Sequence, residues 1–400
     1  MNKDITVMIF GAGINQLELI RAAREMNIKS VVVDPATNPP GKPFADYFYR
    51  VEAGDYDTTR ALALKHNIKG IVTGQMEKPM RLMARLAKEL GFIFHSSEVV
   101  ERSLDKWTMK QSFIGSDVPC AKGILIKPEE ELTSRVFSSF SFPVIIKPRD
   151  SFSSRGVYKI NSLSELNSKT DETRSFSSAG DIIVEEFLNG REFSVESVTW
   201  QGQTTIIQFT EKFITPYPRT VEIGHLQPAN LQETEREQIK KVVVSGINAL
   251  GIDNSASHAE VMLTSAGVKV IEIGARLGGD FISSYLTRSS TGVNMDKAVV
   301  SVALGLPPDL QSSRNCFSYI RYLELPVGRT VRKILPLDNL RKLPGVVFVW
   351  VFVKPSDKML PIVHSALRPA CILVKADSRE DVIAIADRYI NELKKLIITN

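Results

Sequence analysis

Cysteine is scarce in this 400-residue chain: Cys120, Cys316 and Cys371 are far apart and odd in number. That excludes a disulfide framework or a zinc ribbon and suits thiols kept reduced in a cytosol. Histidine is nearly as rare. His66, His95, His225, His258 and His364 form no HExxH-type pair, so no dedicated transition-metal site is expected. Neither sign of charge dominates, with 50 Lys+Arg against 45 Asp+Glu and no long block of like charge. A surplus of +5 leaves no footprint for nucleic acid or an anionic membrane as partner. Long apolar runs are also missing. The longest, Val346 to Val353, is far short of a membrane span and suits a buried strand. The first ten residues lack a signal peptide's basic start and apolar core, so the expected location is cytoplasmic.

What is present is ordinary globular material, 43% hydrophobic, on a chain long enough for two to four lobes. Over the first hundred residues strands and helices alternate: Ile5–Phe10 extended, Asn15–Met26 helical, Ser30–Val33 extended, Ala61–His66 helical, Gly70–Thr73 extended, Pro79–Leu90 helical. This alternation predicts a parallel α/β unit. From Asp117 the pattern changes to short β segments at Cys120–Ile126, Pro143–Lys147, Val157–Ile160, Ile182–Phe187 and Glu192–Thr199. Helix returns at Glu233–Leu250 and near Asn294–Leu304, and Leu306-Pro307-Pro308 marks a boundary. The tail from Phe317 carries three or four β segments and a helix opened by Ser378, with Asp381 three residues on.

Gly11-x-Gly13-x-x-Gln16, between a strand and a helix and followed by Asp34, imitates a dinucleotide fingerprint. Its third glycine, which lets helix and strand pack closely, is replaced by Gln16. A nicotinamide-dependent oxidoreductase and a plain tight turn both stay open on this motif alone.

The strongest local signal is His258-Ala-Glu260-Val with Ile271-Glu272-Ile-Gly274-Ala-Arg276-Leu-Gly278-Gly279. Two β segments joined through Ser265-Ala266-Gly267 predict a hairpin with a three-residue loop, glycine taking the left-handed place. Folding it there sets Glu260 opposite or nearly opposite Glu272, about 5 Å apart. Like charges so placed repel unless a divalent cation lies between them, and oxygen ligands point to Mg²⁺. Alone, the hairpin is equally two acids on a wet surface. Period two also puts Arg276 on the Glu272 face.

Complementary charge comes from Pro143-Val-Ile-Ile-Lys147-Pro148, an apolar strand ending in a lysine that needs an anion if buried. The turn after it, Arg149 to Val157, is rich in hydroxyls and can cover phosphates through its N–H groups. Lys106 opens a helix, where taken alone it suits a solvated surface. Ile182–Val184 runs into Glu185, Glu186, Phe187 and Leu188, an acidic hinge whose backbone can bond a purine edge and where a carboxylate such as Glu192 can accept from ribose; alone it is equally a hairpin with polar ends.

In order and spacing these pieces resemble an ATP-grasp carboxylate–amine ligase over about residues 1–310, with similarity also to carbamoyl-phosphate synthase large-chain and biotin carboxylase-type members. Leu277-Gly278-Gly279, Pro344-Gly345-Val346, Lys354-Pro-Ser-Asp357 and Ser365-Ala-Leu-Arg368-Pro look most like the L-amino-acid ligase branch. The resemblance implies an α/β and α+β architecture: a Rossmann-like domain over 1–100, a two-lobed ATP-grasp domain over 101–310 with a nucleotide-clamping part at about 117–190, and a small α+β domain over 311–400. It implies that Lys106 and Lys147 hold the ATP phosphates under a flap containing Ser151, Ser153, Ser154 and Gly156. Adenine would meet the segment Glu185, Glu186, Phe187, Leu188, through backbone groups of Glu186 and Leu188, and Glu192 would take the ribose. Glu260 and Glu272 would hold Mg²⁺, or Mn²⁺ in its place, and Arg276 would steady the acyl phosphate and the tetrahedral state after it. Two departures stand out: Gly274 replaces a metal-ligating Asn of many members, and the flap has a single glycine.

The chemistry so implied is ATP-dependent activation of a carboxylate as an acyl phosphate, then capture by an amine, with an amino acid among the expected substrates. Arg155, Glu222, His225, Arg288 and Ser290 are the candidates for holding those small molecules. A homodimer is left open. A purine-pathway or carbamoyl-phosphate-type enzyme and a nucleotide-binding module without catalysis are the rival readings.

Overall fold

The computed structural model describes residues 5–130, 140–151, 155–216 and 221–400. Strands β1 (Thr6–Phe10), β2 (Lys29–Asp34), β3 (Tyr47–Arg50) and β4 (Gly70–Thr73) form a parallel sheet in the order β3-β2-β1-β4. β1 and β4 are buried throughout, because helices Leu17–Glu25 and Met80–Leu90 turn apolar faces toward the sheet. Only the short β3 was not expected; Tyr47-Phe48-Tyr49-Arg50 lacks an alternating pattern. The glycine-rich segment is a tight turn. Gly11 has φ +93, and the Asp34 carboxylate accepts from the Ala12 and Ala36 N–H groups, both at 2.8 Å. Asp34 is thereby engaged inside the turn, where a dinucleotide site would need it for ribose.

A second, antiparallel sheet holds β5 (Gly123–Ile126), β6 (Val144–Pro148), β7 (Tyr158–Ile160) and β8 (Ile182–Glu186), in the order β5-β8-β6-β7. Cys120, expected in the first of these strands, makes only an isolated bridge to Val270. Val144, Ile146, Ile160 and Val184 pack under Leu166 of helix Leu163–Ser175. By the period of two, Ile145, Lys147 and Glu185 then face the other way, onto an open cleft.

The third sheet has eight antiparallel strands: β13 (Gly267–Gly274), β12 (Ser255–Thr264), β9 (Gly190–Trp200), β10 (Gln203–Ile214), β11 (Glu222–Gln227), β14 (Phe317–Tyr322), β17 (Ala370–Ala376) and β16 (Val346–Val351). On one face Phe193, Val195, Ala259, Val261 and Ile273 pack against Ile239, Val243 and Ile247 of helix Glu233–Leu250. Burial of each valine, isoleucine or phenylalanine there stabilises by about 1.5–3 kcal/mol. The alternate residues, Glu192, Ser194, His258 and Glu260, turn toward the cleft. The sheet does not stop at residue 311: β14 pairs with β11, and helix Arg379–Leu396 lies over the tail strands through Val382, Ala386, Tyr389 and Leu393. Its N-cap is Ser378, whose Oγ accepts from the Asp381 N–H at 3.0 Å. Five tail strands are found, not three or four, because β15 (Val331–Ile334) and β18 (Ile397–Thr399) add a small separate pair.

Candidate active site

The second and third sheets wall a cleft of about 290 Å³, with Glu77 contributed from the segment after β4. Glu260 does pair directly with Glu272, but not through the expected turn. Thr264 pairs with Gly267, leaving a two-residue loop, Ser265-Ala266, with Gly267 at φ +107. That loop alone would oppose Glu260 to Ile271 and send Glu272 to the other face. The register shift between Glu260 and Val261 inserts Ile271 as a bulge and restores both carboxylates to the cleft. A second bulge does the same for another pair. Glu222 and His225, three apart, belong on opposite faces of a regular strand, yet Ile214 pairs with Glu222 and Phe213 with Gly224, so Ile223 is extra. Both side chains line the cleft.

At one end of the cleft, Lys147 Nζ lies 2.8 Å from the Glu185 carboxylate and Lys110 Nζ lies 3.0 Å from it. Burial would raise the Glu185 pKa, but the two ammonium groups outweigh it and hold the carboxyl below its ordinary range. Lys106 Nζ donates to Glu272 at 2.7 Å. Glu186 pairs with Lys269 at 2.6 Å, and its N–H donates to the Lys122 carbonyl at 3.0 Å. The Glu186 N–H is thereby engaged with the chain itself, while Phe187 and Leu188 line the wall. Ser151 is buried on the cleft, and Gly156 has φ +73 with Phe176 so close that a Cβ would meet it at 2.8 Å. Ser153 and Ser154 lie outside the described residues. Arg155 is exposed, and burial together with its charge lowers the His364 pKa.

The middle of the site is held by a residue no sequence pattern had singled out. Lys212, on β10, ion-pairs with Glu192, with Glu260 at 2.9 Å and with Glu222 at 3.7 Å. Burial would strip its proton, but the three carboxylates outweigh that and hold its pKa well above the ordinary lysine value. Burial pushes Glu192 up, whereas Glu260, facing Lys212 and His258, is held well below the usual range despite burial. Beside them His258 Nδ1 meets the fully buried Glu196, which also accepts from Ser283 Oγ. Burial favours neutral His258, yet Glu196 wins and its pKa is pushed up to about 9. Gly278 is required above this pair, since a Cβ there would meet Glu196 at 2.6 Å.

At the far end Arg276 donates to Glu77 at 2.9 Å and to the Leu277 carbonyl at 3.0 Å. A side chain at position 274 would meet the Arg276 guanidinium at 3.3 Å, so the space an Asn would need is shared with that arginine. Arg288 and Ser290 do not join the cleft. Arg288 lies 3.6 Å from Glu18 and 4.0 Å from Glu25, and buried Ser290 donates to Gln227 at 2.8 Å. Arg288→Ala should accordingly leave the KM of every substrate within twofold of wild type in steady-state kinetics; a large rise would return it to the site.

Among the described residues no three His, Cys, Asp or Glu side chains are placed to hold a metal ion by themselves, but two carboxylates face each other at Glu260 and Glu272. That donor set fits Mg²⁺, which takes one or two carboxylates and completes its shell with phosphate and water oxygens. Lys106 and Lys212 pair with the two acids.

Residues 140–284 match the ATP-grasp domain, and residues 321–395 match the L-amino acid ligase C-terminal domain 2. Dapdiamide A synthase from Enterobacter agglomerans is 25% identical over 77% of this chain and 75% of its own length. A D-alanine–D-alanine ligase from Pediococcus pentosaceus is 24% identical over 51% of this chain and 58% of its own. In fold, an L-amino acid ligase from Bacillus licheniformis superposes with a TM-score of 0.85 at 22% identity, covering 100% of this chain and 99% of that one. Phosphoribosylglycinamide synthetase from Anaerococcus prevotii gives 0.78 at 23% identity, covering 99% of both. No described helix is long and apolar enough to cross a membrane.

Proposed function

We propose that this chain, an ATP-grasp ligase, couples the carboxylate of one small molecule to the amine of another, an amino acid being one of the two. The observation that carries the reading is the charge arrangement of the cleft: Lys106, Lys147, Lys212 and Arg276 line it together, each held by a carboxylate. The substrate carboxylate oxygen attacks the γ-phosphorus of ATP and the bond to the β–γ bridging oxygen breaks, giving an acyl phosphate and ADP. The amine nitrogen then attacks the acyl carbon, and phosphate leaves with the electrons of the C–O bond. Lys106 and Lys147 hold the phosphates, Ser151 and Gly156 belong to the flap above them, and Phe187 and Leu188 flank the base. Glu192 accepts from the ribose. Lys212 stands between the ribose acid and the metal acid, where charge grows on the transferring phosphoryl group. Arg276 steadies the acyl oxygen, leaving Glu77 to do so, and Glu222 and His225 receive the amine. Glu260 and Glu272 would hold Mg²⁺, or Mn²⁺, which when bound neutralises charge on the phosphate oxygens.

The same reading puts the enzyme in the cytoplasm and divides it at about residues 100 and 310, with the tail sheet continuous with the catalytic one. Its test is ADP release that depends on both an acid and an amine, across a panel of amino acids. Lys147→Ala should lower that rate roughly 100- to 1,000-fold, the usual cost of removing one donor from a developing anion. Undiminished turnover in Lys147→Ala would overturn the reading.

A further inference from the structure

His225 is 2% exposed, lines the cleft, and uses only one of its ring nitrogens. Its Nε2 lies 3.0 Å from Asp280 Oδ2, whereas Nδ1 is buried with no hydrogen-bond partner among the described residues. Asp280 is itself gripped from the tail: both terminal nitrogens of Arg368 donate to its two oxygens, one at 2.8 Å. Arg368 also donates to the Glu222 carbonyl at 3.1 Å and lies 3.6 Å over the Tyr322 ring, whose hydroxyl donates to the Asp280 carbonyl at 3.1 Å. Burial would favour a protonated Asp280, but Arg368 overrides it and keeps the carboxyl ionised. An ionised carboxylate only accepts, so Nε2 donates to Asp280, and the buried, unpartnered Nδ1 is the ring atom that His225 has left for a ligand of the cleft. The arrangement is held against local strain: Asp280 and Phe281 sit at φ +53 and +62, left-handed positions costly for residues other than glycine.

We propose that Arg368 and Asp280 are positioning residues that fix His225 with Nδ1 as the proton acceptor for the attacking amine. This rests on the ligase reading above. An amine arrives as an ammonium ion and cannot attack until it gives up a proton. Nδ1 takes that proton, the freed lone pair forms the C–N bond, phosphate departs with the electrons of the C–O bond, and its leaving oxygen takes the second proton that the nitrogen sheds to become the amide. The imidazolium so formed is stabilised by Asp280. The tail is thereby part of the catalytic machinery, reaching the amine side of the cleft through Arg368.

Hydroxylamine separates this step from the one before it, because it is largely unprotonated at neutral pH and captures acyl phosphates without a base. In Asp280→Asn and His225→Gln, kcat for coupling an amino acid should fall roughly 100-fold, the scale of a lost general base. The KM for ATP should hold, and hydroxamate formation from the same carboxylate should persist. Arg368→Lys should lose part of the coupling rate and Arg368→Ala more. A parallel fall of hydroxamate and amide, or wild-type coupling in both His225→Gln and Asp280→Asn, overturns the assignment. A wild-type enzyme that forms neither ADP nor hydroxamate with any acid would remove the ligase reading and this step together.

Discussion

Lys212→Met should abolish ligation and weaken the fold at the same time. Three carboxylates, Glu192, Glu222 and Glu260, converge on this one buried ammonium group. Without it they repel one another on a partly buried cleft wall, and removing one partner from such a cluster costs up to about 3–5 kcal/mol. Catalysis should suffer independently, by roughly 100- to 1,000-fold if the ammonium meets the charge growing on the phosphoryl group. The two effects are separable. Adding Glu192→Gln to Lys212→Met removes one of the stranded acids, so denaturant melts should recover part of the lost stability. ADP release should not recover. A double variant that regains activity with stability would show Lys212 to be only a counterion of the fold.

Lys212 also marks where the sequence ceased to be legible. Glu260, Glu272 and Arg276 were found because apolar neighbours alternate with them, and alternation declares which residues share a face. The strand carrying Lys212, Gln203-Thr-Thr-Ile-Ile-Gln-Phe-Thr-Glu-Lys-Phe-Ile214, mixes polar and apolar residues on both faces, because the cleft wall is itself polar. Its lysine looked like any other. The bulges at Ile223 and Ile271 were invisible for a different reason: one inserted residue leaves composition unchanged and is fixed by pairing with a distant strand. The Glu260–Glu272 pairing came out correctly because a three-residue loop and a two-residue loop with a bulge give the same register there. Arg368 and Asp280 are 88 residues apart, and the tail had no local feature to say that its strands would join the catalytic sheet. The parallel N-terminal sheet, by contrast, follows from short-range alternation and was legible almost strand for strand.

The pairing of Glu272 with Lys106 and of Glu260 with Lys212 leads to a second large effect, on how metal and nucleotide enter. Each acid already has its cation. The Lys106 charge, ahead of the burial that opposes it, holds Glu272 below the ordinary carboxylate range. A divalent ion arriving alone would have to draw Glu272 from Lys106, leaving that buried ammonium without its paired acid, and take Glu260 from Lys212, which keeps only Glu192 and Glu222. On the function proposed above ATP would remove that obstacle, because its phosphates would take over the lysines while the acids turn to the metal. Metal and nucleotide should therefore bind as one unit. Mg²⁺ alone should leave the melting temperature unchanged, whereas ATP with Mg²⁺ at 100 times its Kd should add about 2.7 kcal/mol. The coupling must be reciprocal, so Mg²⁺ should tighten ATP by the same factor, typically about 5- to 150-fold, that ATP tightens Mg²⁺. Glu272→Gln should erase most of this coupling and cut turnover by roughly 1,000-fold, since the phosphoryl group then moves without its main neutralising charge. Stabilisation by Mg²⁺ alone in the wild type, or full coupling in Glu272→Gln, would mean that the lysine pairs do not guard the metal acids.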